Sequence, residues 1–341
     1  MQVRRVLVLT LALALGLCLA LAGCSDDAAR KADVACNGHE ELCDRAYDEV
    51  AYPATHNSMS AAAEPGWFFP EQPDGIIAQL DHGIRVLLID TWYGQPTDRR
   101  GIVATADKSR AEAIEQARQD FGRRAVDAAL RARRAAGLAP TGEVRPYLCH
   151  AMCELGSTSW ARSLRATKDW LDAHPREVVT LFVQDEVTPA DTARVIEQAG
   201  LQPYVYTPEE DGTWPTLGEM VDDGTRLVVL MENHGGGELL PWLIPGFDVV
   251  QDTPYRFRSP ADFTCAENRG DPDASLFLVN HWIDDWRNVP QNSAIVNARA
   301  VLLPRLRECE EERGQLPNFV AVDYYDRGDL LDVVDELNGL D

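Results

Sequence analysis

Short apolar runs recur between residues 50 and 323, and they constrain the fold more than any other feature. They lie at 50–55, 85–91, 145–149, 178–184, 203–206, 226–231, 275–280 and 318–323. Stretches patterned as helices separate them, at 75–82, 109–136, 157–173, 190–200, 215–222, 292–313 and 327–338. Strands that alternate with helices predict a parallel sheet. Eight such strands predict a single TIM-type (β/α)8 barrel, with room for distortion and for incomplete hydrogen bonding. The 341 residues fit one such unit, which reaches about 250 residues and more. No internal repeat or interior linker divides the chain. The stretch 232–275, with Gly235-Gly236-Gly237, reads as a long loop, a functional lid or disorder. The helix at 109–136 has a capping box from Ser109 and Glu112, and Gly137 suits the position just past its end. Its arginines gather toward the carboxyl end, where they complement the helix dipole.

The amino terminus has a different character. Arg4 and Arg5 precede an apolar run from Val6 to Ala22, as in a secretory leader. The run falls short of the roughly 20 residues of a membrane span. Leu21-Ala22-Gly23-Cys24 resembles a bacterial lipobox, which implies cleavage before Cys24 and lipid on its sulfur. The expected layout is a signal peptide at 1–23, the lipidated Cys24 and a tether to residue 35, and a globular barrel over 36–341. The protein is then exported and held as a lipoprotein of the cell envelope or cell surface.

Six cysteines remain beyond Cys24, an even number that suits disulfides in an exported chain. Proximity in sequence favours Cys36–Cys43 and Cys149–Cys153 and leaves Cys265–Cys309. A zinc site on Cys149, Cys153 and His150 is the alternative, and an oxidising compartment favours the bridge. The net charge of −23 repels nucleic acid and anionic bilayers at long range. An anionic ligand must therefore be held by local features. No nucleic-acid partner is expected, and the chain is expected to be a monomer.

Three of the runs end in chemically capable groups. The first leads into Thr55-His56-Asn57-Ser58. The second lies in Gly83-Ile84-Arg85-Val86-Leu87-Leu88-Ile89-Asp90-Thr91-Trp92-Tyr93-Gly94. The third ends in Tyr147-Leu148-Cys149-His150. Barrels place catalysis at the carboxyl ends of their strands. In this order, the three motifs resemble the catalytic X-domain of phosphatidylinositol-specific phospholipase C and the wider PLC-like phosphodiesterase superfamily. The resemblance spans roughly residues 36–340.

That resemblance implies phosphodiester cleavage by an internal hydroxyl, through a cyclic phosphate. Such a reaction needs a base, an acid and a positive group on the phosphoryl oxygens. Imidazoles suit the first two roles because they ordinarily titrate near 6.5. The resemblance assigns His56 and His150 to the pair without saying which is the base. Metal-independent relatives place an arginine on the second strand, but here that strand ends in Asp90-Thr91-Trp92. The chain therefore resembles the calcium-dependent branch, with Asn57, Asp90 and either Asp185 or its neighbour Glu186 as oxygen ligands. Two departures stand out: Leu88 occupies the place of a second acidic ligand, and Gln184 aligns with a glutamate ligand. Trp92, Tyr324 and His281, the last within Asn280-His281-Trp282 with Asp284 and Asp285 close by, are expected to contact the substrate head group, a membrane lipid's, and Asp323 to orient His56. Gly66-Trp67-Phe68-Phe69-Pro70 offers aromatics for a bilayer or a sugar ring. The alternatives are a phosphodiesterase on another lipid or a glycerophosphodiester, and an inactive barrel that binds a head group or glycan.

Overall fold

The computed structural model describes residues 34–137, 139–209 and 212–340. The expected leader, Cys24 and the tether as far as residue 33 lie outside the described residues. Among the described residues, no helix is long and apolar enough to cross a membrane.

The strands are β1 (Tyr52–Thr55), β2 (Val86–Pro96), β3 (Val103–Thr105), β4 (Arg145–Leu148), β5 (Thr158–Ser159), β6 (Val179–Asp185), β7 (Leu227–Met231), β8 (Leu243–Pro245), β9 (Val250–Asp252), β10 (Leu276–His281) and β11 (Phe319–Val322). Eight of them, β1, β2, β6, β7, β8, β9, β10 and β11, follow one another in chain order as parallel neighbours, and β11 returns to pair with β1. The result is a (β/α)8 barrel left open at one seam, since β8 and β9 share no ladder among the described residues. Strands covered on both faces read as continuous apolar runs. Accordingly, every residue of β7, β10 and β11 is buried.

Side chains alternate across each strand, and this sorts the core into two layers. Tyr52, Ala54, Val86, Phe182, Val228, Leu230, Ile244, Val250, Leu276, Leu278, Phe319 and Ala321 form one cluster, which fills the barrel. Their neighbours Leu87, Ile89, Leu181, Val183, Val229, Met231, Phe277, Val279, Val320 and Val322 pack outward against the helices. Burying each such side chain contributes about 1.5–3 kcal/mol. Two steps beyond the inner layer, the same parity reaches His56, Asp90, Gln184, Glu232, Asn280 and Asp323. The site is thus the inner core continued past the strand ends in polar residues.

Two of the eight expected strands are not barrel strands. β2 runs beyond the barrel rim, and residues 145–148 pair with that extension in antiparallel fashion; apolar patterning does not reveal strand direction. Residues 203–206 contain Pro203, form a 3-10 turn over Gln202–Tyr204 and touch β7 through one bridge from Val205. Their places in the barrel are taken by β8 and β9, both within the stretch read as a loop. With three residues each, on either side of the one-turn helix Gly246–Val249, they are too short to show periodicity.

The helix expected at 109–136 is two helices, Asp107–Phe121 and Arg123–Ala135, broken at Gly122 with φ +80°. The capping box also falls away. The helix begins after Ala106, and the Ser109 amide bonds the Ala106 carbonyl, so Ser109 sits inside the first turn. Gly137 does take the left-handed position past the end, at φ +78°. The helix expected at 292–313 likewise divides into Val289–Val296 and Arg299–Arg313. At the break, Asn297 Nδ2 donates to the Asp323 carbonyl at 2.9 Å, tying the joint to the loop after β11. The three expected disulfides, Cys36–Cys43, Cys149–Cys153 and Cys265–Cys309, are all formed.

Candidate active site

His56 follows β1 directly. Its amide bonds the Val322 carbonyl at 3.0 Å, and Gln72 Nε2 donates to the carbonyls of both His56 and Val322. The loops after β1 and β11 are thereby locked together. His56 Nδ1–H donates to Asp323 Oδ1 at 2.8 Å. The other face of the pocket carries His150, whose amide neighbour Cys149 bonds the Asp90 carbonyl at 3.1 Å and is bridged to Cys153. The ring centroids of His56 and His150 are 6.4 Å apart. Asn57 lies between them, its Nδ2 2.9 Å from His56 Nε2 and 3.5 Å from His150 Nε2. Donation from that amide puts the lone pair of His56 on Nε2, with the ring hydrogen on Nδ1 toward Asp323.

The backbone is strained at each of these points. Among the described residues, four non-glycine residues have positive φ: Asn37, Asn57, Ala151 and Tyr324. The last three immediately follow His56, His150 and Asp323. Asparagine adopts this region readily, whereas alanine and tyrosine do so at a cost of about 1 kcal/mol or more. Such strain gathers where a fold must aim a side chain.

The two imidazoles sit in different fields. Burial works against a charge on His150, but Glu71, Asp90 and Asp120 outweigh it and push the group up to about 10. Glu71 Oε2 is 3.3 Å from His150 Nδ1, and Asp120 Oδ2 is 3.7 Å from Nε2. Burial also opposes a charge on His56, and Asp323 and Glu71 raise it above its ordinary value. His56 lies flat on Trp282, with centroids 3.8 Å apart and planes 4° from parallel. Burial lifts Asp90 to about 7 despite the pull of both histidines. The cavity in front of the pair holds about 730 Å³, ample for a small-molecule head group.

The PI-PLC X family profile matches residues 130–338 of the chain, more than half of it. The chain belongs to the PI-PLC X family. A PI-PLC X domain-containing protein 1 of the fungus Arthroderma benhamiae is 26% identical over 330 residues, covering 90% of each chain. A second protein of that fungus, named as an uncharacterized secreted protein, is 25% identical over 86% of this chain, which spans 61% of the relative's length. A solved structure of a phosphatidylinositol-specific phospholipase C variant from Staphylococcus aureus matches with a TM-score of 0.48 and 11% identity, over 88% of this chain and 94% of that one. Membership supports a phospholipase C-like phosphodiesterase class for this chain.

Within this PI-PLC X barrel, the calcium trio with Asp185 does not assemble. Asp90 and Asn57 line the cavity, but Asp185 does not. On β6 the inward parity belongs to Phe182 and Gln184, so Asp185 turns outward. There it accepts from the amides of Asn233 and His234 at 2.7 and 2.9 Å and from Asn233 Nδ2 at 3.1 Å. Its lone pairs are committed to holding the turn after β7. Among the described residues, the metal-capable atoms that converge are on His56, Glu71 and Asp323, a set without Asp90 or Asp185. Asp185 thus leaves the expected set, while Glu186, its alternative, lines the cavity with Asn57 and Asp90.

The expected head-group contacts are also corrected. His281 is outward-facing on β10, fully buried, and held between the Val296 carbonyl at 2.8 Å and Arg305 Nη1 at 2.7 Å. Burial and the Arg305 charge push it down to about 3, so it serves the helix layer as a neutral acceptor. Tyr324 has the outward parity of β11 and is buried. Trp92 lies on the β2 extension, in a cluster with Phe121 and the Cys149–Cys153 bridge. None of the three lines the cavity. Asn280, Trp282, Asp284 and Asp285 of the stretch around His281 do line it, and sequence reading missed Glu71, Asp120, Glu232, Arg256 and Arg269, which line it too. For Glu232, the period-two parity carried past the strand end would have served as a signal. For Glu71 and Asp120, which come from a loop and a helix end, no local signal exists.

Proposed function

We propose that this protein is a phosphodiesterase that cleaves a phosphatidylinositol-type lipid by intramolecular attack. His56 is the base. Its Nε2 takes the proton of the hydroxyl beside the phosphoester, and the freed oxygen bonds to phosphorus. The bond from phosphorus to the glycerol oxygen breaks, and His150 gives that oxygen the proton from its Nε2. A cyclic phosphodiester and a diacylglycerol leave, and water later resets the two protons. Asp323 orients His56 and supports its charged form; Glu71 does the same for His150.

The observation that supports this reading most is the unequal pair across Asn57. One imidazole carries its lone pair on Nε2 against the Asn57 amide, and the other is held protonated by carboxylates. Two titratable groups driven apart by their surroundings are how acid and base roles are divided in a single pocket. No step is assigned to a metal ion. The protein acts outside the cytoplasm, anchored through Cys24, a reading helped by the secreted relative.

Turnover across a panel of phospholipids tests this, with the wild type beside His56→Ala. The wild type should release diacylglycerol from phosphatidylinositol, and the variant should lose about 10²–10⁴-fold in kcat. Head-group binding without turnover of any lipid would replace this reading with a binding barrel. Cys24→Ala should move the protein from the membrane fraction to the soluble one.

A further inference from the structure

The cleavage proposed above needs a positive group on the phosphoryl oxygens, and Asp185, expected as a metal ligand, is turned away from the cavity. Among the described residues, two arginines line the cavity, Arg256 and Arg269. Arg269 is committed. Its Nε and Nη2 donate to Asp252 at 3.0 and 2.7 Å, its Nη1 pairs with Glu232, and its plane packs over Phe247 and Tyr255. It ties the end of β7 to β9 across the open seam.

Arg256, on the segment after β9, is placed differently. Its side chain is 51% exposed, and its ion pair is to Asp120 Oδ1, 3.2 Å from Nη2. The second oxygen of that carboxylate lies 3.7 Å from His150 Nε2. One anion therefore sits between a guanidinium and the imidazole assigned as the acid. A carboxylate and a phosphate diester offer an arginine the same paired-oxygen face.

We propose that the Asp120 carboxylate occupies the place of the substrate phosphate, and that Arg256 is the cation that holds the phosphate when Asp120 withdraws. The inference rests on the phosphodiesterase reading. It supplies, from the far side of the barrel, the charge that the second strand lacks. Asp120 is the penultimate residue of the helix Asp107–Phe121, two residues before the break at Gly122. The Asp120 side chain is largely sheltered from bulk water, at 19% exposure.

The test uses inorganic phosphate as the probe and measures its dissociation constant by calorimetry, with chelator and again with added calcium. Arg256→Gln should weaken phosphate binding about tenfold or more, the loss of one hydrogen bond to a charged group. Asp120→Asn should tighten it about two- to fivefold, since the competing charge is gone. Arg256→Lys should recover part of the loss and shows that the fold survives. In turnover, Arg256→Gln should lower kcat by about 10²-fold or more. The opposed signs are the decisive feature, because a merely structural Arg256–Asp120 link predicts the same direction for both variants. Equal directions, no effect of Arg256→Gln, or phosphate binding that appears only with calcium overturns the proposal. Opposed signs in a protein that turns over no diester would uphold the anion site and remove the hydrolase reading.

Discussion

His150 and His281 both lie at strand ends, both are buried, and both were singled out from sequence, yet the molecule treats them in opposite ways. His150 meets the carboxylates of Glu71, Asp90 and Asp120 and rises to about 10. Burial, joined by the Arg305 guanidinium, takes His281 down to about 3. Burial lowers a histidine, and the neighbours reverse that at His150 and add to it at His281. Parity decides the neighbours: one ring faces the cavity, and the other faces the helix layer. A histidine after an apolar run is thus not yet a catalytic residue.

The largest way to break this comparison is to exchange the two rings' fates. His150→Ala should lower kcat by about 10²–10⁴-fold, while His281→Gln, measured on folded protein, should keep kcat within about threefold, because the ring touches no reacting atom. Equal losses would mean that the outward histidine shares the chemistry.

A second contrast lies in the pH profile. Activity requires His56 neutral and His150 protonated, so kcat/KM should rise through a pH above 6.5 and fall near 10. Glu71 is the largest charge favouring protonated His150, ahead of Asp90 and Asp120. Glu71→Gln should therefore move the alkaline limb down most, Asp90→Asn less and Asp120→Asn least. An unmoved limb in Glu71→Gln would break the assignment of His150 as the acid.

The smallest effect is on stability. A folded pKa raised above the unfolded value stabilises fully below about 6.5, and the gain is lost as pH climbs toward 10; that is His150. A depressed folded pKa stabilises above about 6.5, and the gain is lost as pH falls toward 3; that is His281. Thermal unfolding across pH should show His150→Gln flattening the alkaline side and His281→Gln the acid side, each by about 2–4 °C.

Much of this was readable from sequence for definite physical reasons. Six barrel strands are buried on both faces, so β1, β2, β6, β7, β10 and β11 stand out as apolar runs. His56, Asn57, Asp90 and His150 stand in motifs beside them, and the three disulfides follow from cysteine spacing. What was hidden is non-local. β8 and β9 are too short to have a pattern, and their pairing partners come from elsewhere in the chain. The direction of Arg145–Leu148 depends on the extra length of β2. Asp185 and His281 were misassigned because residue type was read without asking which face of the strand it occupies. Glu71 and Asp120 reach His150 only once the loop after β1 and the broken helix at Gly122 are folded around it.

Phosphorus NMR of the products released from phosphatidylinositol tests the central claim most directly. The account predicts that the wild type first gives the cyclic phosphodiester resonance, and that His56→Ala and His150→Ala give almost none. A phosphomonoester as the first product, or an undiminished cyclic product from either variant, would contradict it.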